Sequence, residues 1–483
     1  MTRTPEKPGA AGAGRIGPDT LMKILIVVVM LAGFSLACVK YSRFNGDTND
    51  VTVYSYAFAQ TMHGHFFPLY NLPGHLLGNH LTFIIMAWLP IYALWRSFYS
   101  LMFFQSLMLT VAAWPFYLLA RDILKNKWAA LGFGAAFLLF PTIVSQHVNQ
   151  IHDDQFALPF LMGAFLYFWR DKFRPFVVMI VLACLAKETV TITTAMFGLY
   201  ALCLRRDWKW VVTPLAFSIG YFLLAMKLLT AVFAGAGGSL YTGMDYLSAY
   251  GHSPGEVLHT FLTRPGFVLE LTFAAPKLEY LAKLFLPLLY VAPFLSVAVI
   301  VSLPNLLLNL IGSNSALLVI PWHYNILVAA SLLVAMVFST RRIAGWCGAK
   351  REAVAIGLSV ACLGLSIVGF NFWYSAASWE ALPEQAQLAR ALREVPRTAT
   401  IIASTPMLAQ FSDRPKVNSA YSIYMGKFKN PADLANYQYV LLDGQWRNYE
   451  ALGQIPLWET VRTSQVYRVV FSENNVLLLE RTP

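Results

Sequence analysis

Apolar residues in this chain fall in runs of about 15 to 23 as far as Tyr374, and then the pattern stops. Runs of that length predict helices that cross a bilayer. They cover Leu21–Val39, Tyr99–Ala120, Trp128–Val144, Phe156–Trp169, Trp210–Phe233, Asn325–Phe338 and Ala353–Tyr374. Two shorter halves, Pro175–Ala186 and Thr189–Leu204, hinge at Lys187 and Glu188, and Leu281–Ser302 with Leu306–Ile311 reads as a tight hairpin broken by prolines. Leu81–Trp95 is short and carries Pro90, so it is expected to lie in the interface. The count is about eleven spans.

Past residue 380 the periods change. Glu384–Val395 has a helical apolar spacing, whereas Ala399–Ser404, Tyr437–Asp443, Tyr467–Phe471 and Val476–Glu480 read as strands, with Asn474 and Asn475 as a turn. The expected fold is therefore mainly α: a polytopic helical membrane protein with a small C-terminal α/β soluble domain. Its parts are a cytoplasmic tail over 1–20, a transmembrane part over 21–375 with external loops at 40–98 and 234–278, and the α/β domain over 380–483.

Composition agrees, since 13% of residues are charged against roughly 25% in a soluble domain. The net charge of +11 sits in short clusters between apolar runs, such as Arg170–Arg174 and Arg205–Lys209. Such clusters mark cytoplasmic loops and argue against a nucleic-acid partner. They predict a cytoplasmic N-terminus, an extracytoplasmic C-terminal domain and residence in the cytoplasmic (inner) membrane. The five cysteines have neither CxxC nor metal-ligand spacing. All nine histidines then fall on external segments or the outer ends of spans, which places binding or chemistry on the outer face.

Four polar groups interrupt that face. Asp47 and Asp50 lie in an Asn/Gly-rich string, either as solvated turn formers or as a general base or oxygen ligands for a divalent cation. His152-Asp153-Asp154 puts an imidazole and two acids in one loop. Lys187-Glu188 is an ionisable pair in apolar sequence, where such groups face a cavity, a ligand or each other. Trp322-His323-Tyr324 opens a span, as an interfacial anchor or as part of the site. No Gly-rich phosphate loop occurs in the tail, so no nucleotide site is expected.

The order of these motifs resembles the domain of unknown function 2079 family, which looks like a divergent branch of the GT-C glycosyltransferases. The resemblance rests on Asp50 with His63-Gly64, Gly78-Asn79-His80, His152-Asp153-Asp154 through Leu158-Pro159, Ala186-Lys187-Glu188, Ser253-Pro254-Gly255-Glu256, Leu303-Pro304-Asn305 and His323-Tyr324. Two positions depart from the family pattern: Ser55 replaces a second Asp, and Asp154 replaces a Glu. The likeness implies a GT-C-like membrane fold that moves a sugar from a polyprenyl-phosphate donor to a glycan, lipid or protein acceptor. In that reading Asp50 and Asp154 are catalytic. Lys187, Glu188, His80, His152, His323 and Tyr324 bind substrate, and Asp50, Asp154 and His152 are candidate ligands for a divalent cation (Mg or Mn). The alternative is a non-enzymatic transporter or binding protein for a lipid or glycan.

Overall fold

A computed structural model describes residues 16–70, 74–231, 244–373, 380, 382–420, 434, 436–444 and 466–482. Part of the 234–278 loop, the 1–15 stretch and much of 421–465 lie outside the described residues.

The body is a helical bundle. Its principal helices are α1 (Pro18–Ser42), α2 (Asn49–Met62), α3 (Phe98–Val111), α4 (Ala113–Leu124), α5 (Lys127–Leu138), α6 (Leu158–Trp169), α7 (Phe173–Cys184), α8 (Val190–Cys203), α9 (Trp208–Ala231), α10 (Ile326–Trp346) and α11 (Arg351–Trp373). Among the described residues, five helices are long and apolar enough to cross a bilayer: α1, the near-continuous α3 and α4, α9, α10 and α11. The other crossings counted from sequence fall on shorter apolar helices, including α5, α7 and α8. Burial separates their roles. Helix α10 runs through the middle of the bundle, with nearly all residues from Ile326 to Val337 buried, whereas α1 shows Val28 and Leu31 half exposed on a lipid-facing flank.

Several boundaries differ from the sequence reading. Residues Leu281–Ser302 do not form a regular helix beyond Phe285; they follow 3-10 turns at Leu286–Leu288, Ala292–Leu295 and Val297–Ser302. Pro287 and Pro293 each remove a backbone donor, and Leu289 and Tyr290 adopt φ of 56° and 57°, which no α-helix accommodates. The span expected to end at Phe338 continues to Trp346, so Arg341 and Arg342 belong to the last turns of α10.

The tail forms α12 (Gln385–Glu394) and a five-stranded sheet with β1 (Ile401–Ala403), β2 (Val417–Ser419), β3 (Tyr439–Leu442), β4 (Tyr467–Glu473) and β5 (Val476–Arg481), in the order β2-β1-β3-β5-β4. β1 pairs in parallel with β2 and β3, and β5 runs antiparallel between β3 and β4. Asn474 and Asn475 make the β4–β5 turn at φ 44° and 65°, a conformation Asn tolerates at little cost.

This domain does not close its core alone. Phe44, Tyr56 and Tyr70 from the segment after α1 pack with Leu388, Ile401, Met407, Phe411, Leu441 and Leu478. The seam is also hydrogen-bonded: Thr48 donates through its amide to the Thr405 carbonyl at 3.1 Å, and Gln60 donates to the Arg414 carbonyl at 2.8 Å. The tail is thus fastened to α2, the helix that carries Asp50.

Candidate functional site

The bundle has two chemically opposite poles. One end of α1 holds Asp19, whose carboxylate accepts from Tyr117, Arg121 and Lys127. The other end leads to Lys40, Asp47 and Asp50, and there the histidines and acids of separate motifs meet.

Two local devices set Asp50. Asp47 Oδ1 accepts from the Asn49 amide at 2.8 Å, which turns the chain into α2, and Asp50 then occupies the first helical turn. Its own amide donates to Gln150 Oε1, and Asn49 Nδ2 donates to its carboxylate at 3.2 Å. The carboxyl opens onto a cleft but is crowded by protein. Burial and the neighbouring Asp47 carboxylate push its pKa up to about 6, more than the Asn49 hydrogen bond lowers it.

The loop 145–155 is clamped to the chain just before α10. Ser145, Gln146 and Asn149 all donate to the Pro321 carbonyl, Ser145 at 3.0 Å and Asn149 at 2.9 Å, while Gln155 holds Gln146 Oε1 at 2.7 Å. This clamp fixes His152 against His323, ring on ring, with centroids 3.5 Å apart and planes 20° from parallel. His152 Nε2 lies 3.7 Å from Asp50 Oδ2. Burial and the nearby cationic groups hold the His152 imidazole well below the usual pKa of histidine, so near neutral pH it is an uncharged partner for Asp50.

At the hinge between α7 and α8, Lys187 donates to Asp154 Oδ2 at 2.9 Å, and His323 Nε2 stands 3.9 Å from the same oxygen. Glu188 is fully buried; it accepts from His80 Nδ1 at 2.8 Å and from the Leu81 amide at 3.0 Å. Its position therefore orients His80 rather than presenting a carboxylate to a ligand. The start of α10 is held by Asn325, whose side-chain oxygen accepts from Tyr280 at 2.7 Å and Asn309 at 3.0 Å.

Three cavities join around His323 and Tyr324, which line all of them. The mouth, about 240 Å³, is lined by Lys40, Asp47, Asp50, Asn149, Gln150 and His152 among others. The middle, about 190 Å³, gathers Asp50, Tyr54, His80, His152, Asp153 and Lys187. The innermost, about 90 Å³, brings Asp154, Lys187 and Asn305 next to Ile192, Leu308, Leu317 and Leu327.

Seven of the eight sequence-named site residues thus line these three adjoining cavities, and Glu188 supports one of them, His80, from behind. Sequence reasoning passed over Lys40, Tyr54, Gln150 and Asn305 as site residues. A signal for Lys40 was present, since a lysine at the outer end of a span runs against the usual charge asymmetry.

Of the three residues expected to hold a divalent cation, His152 stands 3.7 Å from Asp50, whereas Asp154 points elsewhere. Asp154 is turned to the Lys187 ammonium, which already neutralises it and repels a second cation. Among the described residues no group of three His, Cys, Asp or Glu has metal-ligand geometry.

Ser55, where the family resemblance places a second acid, faces away from the cavity. Its hydroxyl is buried 2.5 Å from the Ser412 hydroxyl of the tail. Ser253-Pro254-Gly255-Glu256 begins the helix Pro254–Thr263: Ser253 Oγ accepts from the Glu256 amide, and the Glu256 carboxylate accepts from the His252 amide.

Residues 40–478 match the family described as "Predicted membrane protein (DUF2079)". The chain belongs to this family. No curated protein matches it by sequence. Among solved structures it is similar to ArnT from Cupriavidus metallidurans bound to undecaprenyl phosphate, with TM-score 0.56 and 12% identity over 95% of this chain and 98% of that one. The apo state of the same ArnT gives TM-score 0.53 at 12% identity, over 96% and 98%. At that identity the likeness establishes the fold alone, which is ArnT-like over nearly the whole length of the DUF2079 chain.

Proposed function

We propose that this DUF2079 protein is a glycosyltransferase that takes a sugar from a polyprenyl-phosphate donor and gives it to an acceptor on the extracytoplasmic face. The observation that carries this reading is the graded cavity. A polar, acid-bearing mouth leads past the stacked His152 and His323 imidazoles to a lysine, and the apolar side chains of Leu308, Leu317 and Leu327 follow. A lipid phosphate with a sugar attached needs that order: lipid beside apolar wall, phosphate beside cation, sugar in the polar chamber. The undecaprenyl phosphate bound by ArnT, a protein of the same fold, supports the same class of donor.

The step is a single displacement. The acceptor hydroxyl oxygen forms a bond to the anomeric carbon while the bond from that carbon to the phosphate oxygen breaks, and its electron pair leaves with the phosphate. Asp50 takes the acceptor proton. Positive charge develops on the sugar ring as in glycoside hydrolysis, and Lys187 faces the departing phosphate. His323 and Tyr324 wall the sugar chamber, and His80, fixed by Glu188, closes its side.

Transfer of labelled sugar from a synthetic polyprenyl-phosphate donor by purified protein in nanodiscs tests the proposal directly. Donor bound without any transfer to hydroxyl acceptors would instead favour a binding or transport protein.

Two further outcomes follow. Asp50 works as a base only when ionised, and its carboxyl titrates near 6, so kcat/KM should climb about tenfold per pH unit up to about pH 6 and level off above it. An Asp50→Asn variant should lack that limb. For orientation, the pole bearing Asp19, Arg121 and Lys127 is expected to be cytoplasmic. A phosphatase reporter fused after Pro483 should then be active and a cytoplasm-dependent fluorescent reporter dark; the reverse pattern would invert the membrane orientation.

A further inference from the structure

At the basic pole, α4, α5, α10 and α11 meet around a pocket of about 170 Å³ lined by Lys125, Asn126, Arg341, Arg351 and Glu352 over a floor of Leu124, Ala344 and Ala355. Measured along α10, its Arg341 lies 18 residues from His323, which is about 27 Å from the candidate site. Three cations face one carboxylate here, so the pocket keeps a net charge of about +2.

Neighbouring charges are differently occupied. Arg121 and Lys127 are paired with Asp19, and Arg170 with Asp122, whereas among the described residues neither Lys125, Arg341 nor Arg351 forms an ion pair. Lys125 is held at φ 54°, in the left-handed turn that joins α4 to α5, and Asn126 caps α5 by accepting from the Trp128 and Ala129 amides at 3.0 Å. The Arg341 guanidinium stacks over Trp169 at 5.4 Å, which fixes its direction. All three keep an exposed side and yet line one pocket.

Two exposed indoles flank it: Trp128 and Trp346, 55% and 64% exposed, lie on α5 and α10 within two residues of the pocket-lining Asn126 and Ala344, and exposed tryptophans at helix ends suit the headgroup layer. Below them the outer flank of α11 is apolar and open, with Val360 exposed.

We propose that this pocket binds the phosphodiester of one anionic phospholipid, its acyl chains lying along the apolar flank of α11. Cations supplied by three separate corners then draw α4, α10 and α11 together around one shared anion. A basic pocket between spanning helices at headgroup level suits a lipid phosphate better than a soluble one, because the acyl chains add contact that free phosphate lacks.

The test uses full-length protein delipidated in detergent and then offered phosphatidylglycerol or phosphatidylcholine in mixed micelles, with bound lipid counted by native mass spectrometry. The wild-type chain should retain one phosphatidylglycerol and little phosphatidylcholine, and millimolar inorganic phosphate should not displace it. Lys125→Gln, an exposed change that keeps the fold, should weaken retention about fivefold, and Lys125→Gln with Arg351→Gln about 20-fold or more, on the usual worth of one cation near an anionic lipid. Lys350→Gln, outside the pocket, should have little effect. Equal retention of the two lipids, unchanged retention in Lys125→Gln, or displacement by inorganic phosphate would each overturn the proposal.

Discussion

Replacing Asp50 by Asn should lower sugar transfer by about 10²-fold or more while leaving the donor bound as tightly as before. Asn keeps the size of the side chain and its hydrogen-bonding reach, so the contact with Asn49 and the first turn of α2 survive. What disappears is basicity. The carboxylate stands at the junction of the mouth and the middle chamber and lines both, so an acceptor hydroxyl entering from the mouth can reach it. Neither His152 nor His80 is placed to replace it: the first is stacked on His323 and the second is bound to Glu188. Donor binding rests on Lys187 and the apolar wall, which Asp50 does not touch. Equal loss of binding and transfer would make Asp50 a simple binding residue, and normal transfer would remove it from the chemistry.

Much of this site was legible because polar groups in apolar sequence are conspicuous. Lys187 and Glu188 interrupt apolar sequence, where the cost of an ionisable group at membrane depth makes them informative, while His152 and Asp154 stand in a short polar loop between two spans and His323 opens another. What sequence could not convey is how these groups pair. Adjacent residues 187 and 188 turn to different partners, Lys187 to Asp154 and Glu188 to His80, since the hinge between α7 and α8 points them apart. Reading the two as one unit therefore assigned Glu188 to the ligand when its position supports a histidine.

The fold shows the same division. The first and last spans emerged within a few residues of their sequence boundaries, but the 286–302 segment is equally apolar and carries prolines whose effect depends on the surrounding bundle. β2 was missed because Val417-Asn418-Ser419 has no strand signature of its own; pairing with β1 makes it a strand. Nor does composition reveal that the tail borrows Phe44, Tyr56 and Tyr70 for its core. That sharing gives the tail a share in positioning Asp50, through α2.

The largest effect on both fold and binding is expected at the Lys187 and Asp154 pair, and its pattern separates charge balance from ligand recognition. Both side chains are about 10% exposed, so each is tolerated at this depth chiefly by the other. Lys187→Ala leaves the Asp154 carboxylate buried and uncompensated, which costs about 3–5 kcal/mol and should lower the melting temperature sharply. Asp154→Ala strands the ammonium in the same way. The double variant Lys187→Met/Asp154→Leu removes both charges and keeps apolar volume, so stability should return to near that of the native chain. Binding of a polyprenyl-phosphate donor should not return with it, because the cation facing the phosphate is gone. Thermal unfolding and donor binding, measured on all three variants in the same detergent, give the answer. A double variant that regains stability and still binds the donor normally would show that Lys187 serves the fold alone, and the phosphate would then have to be held by Lys40 at the mouth.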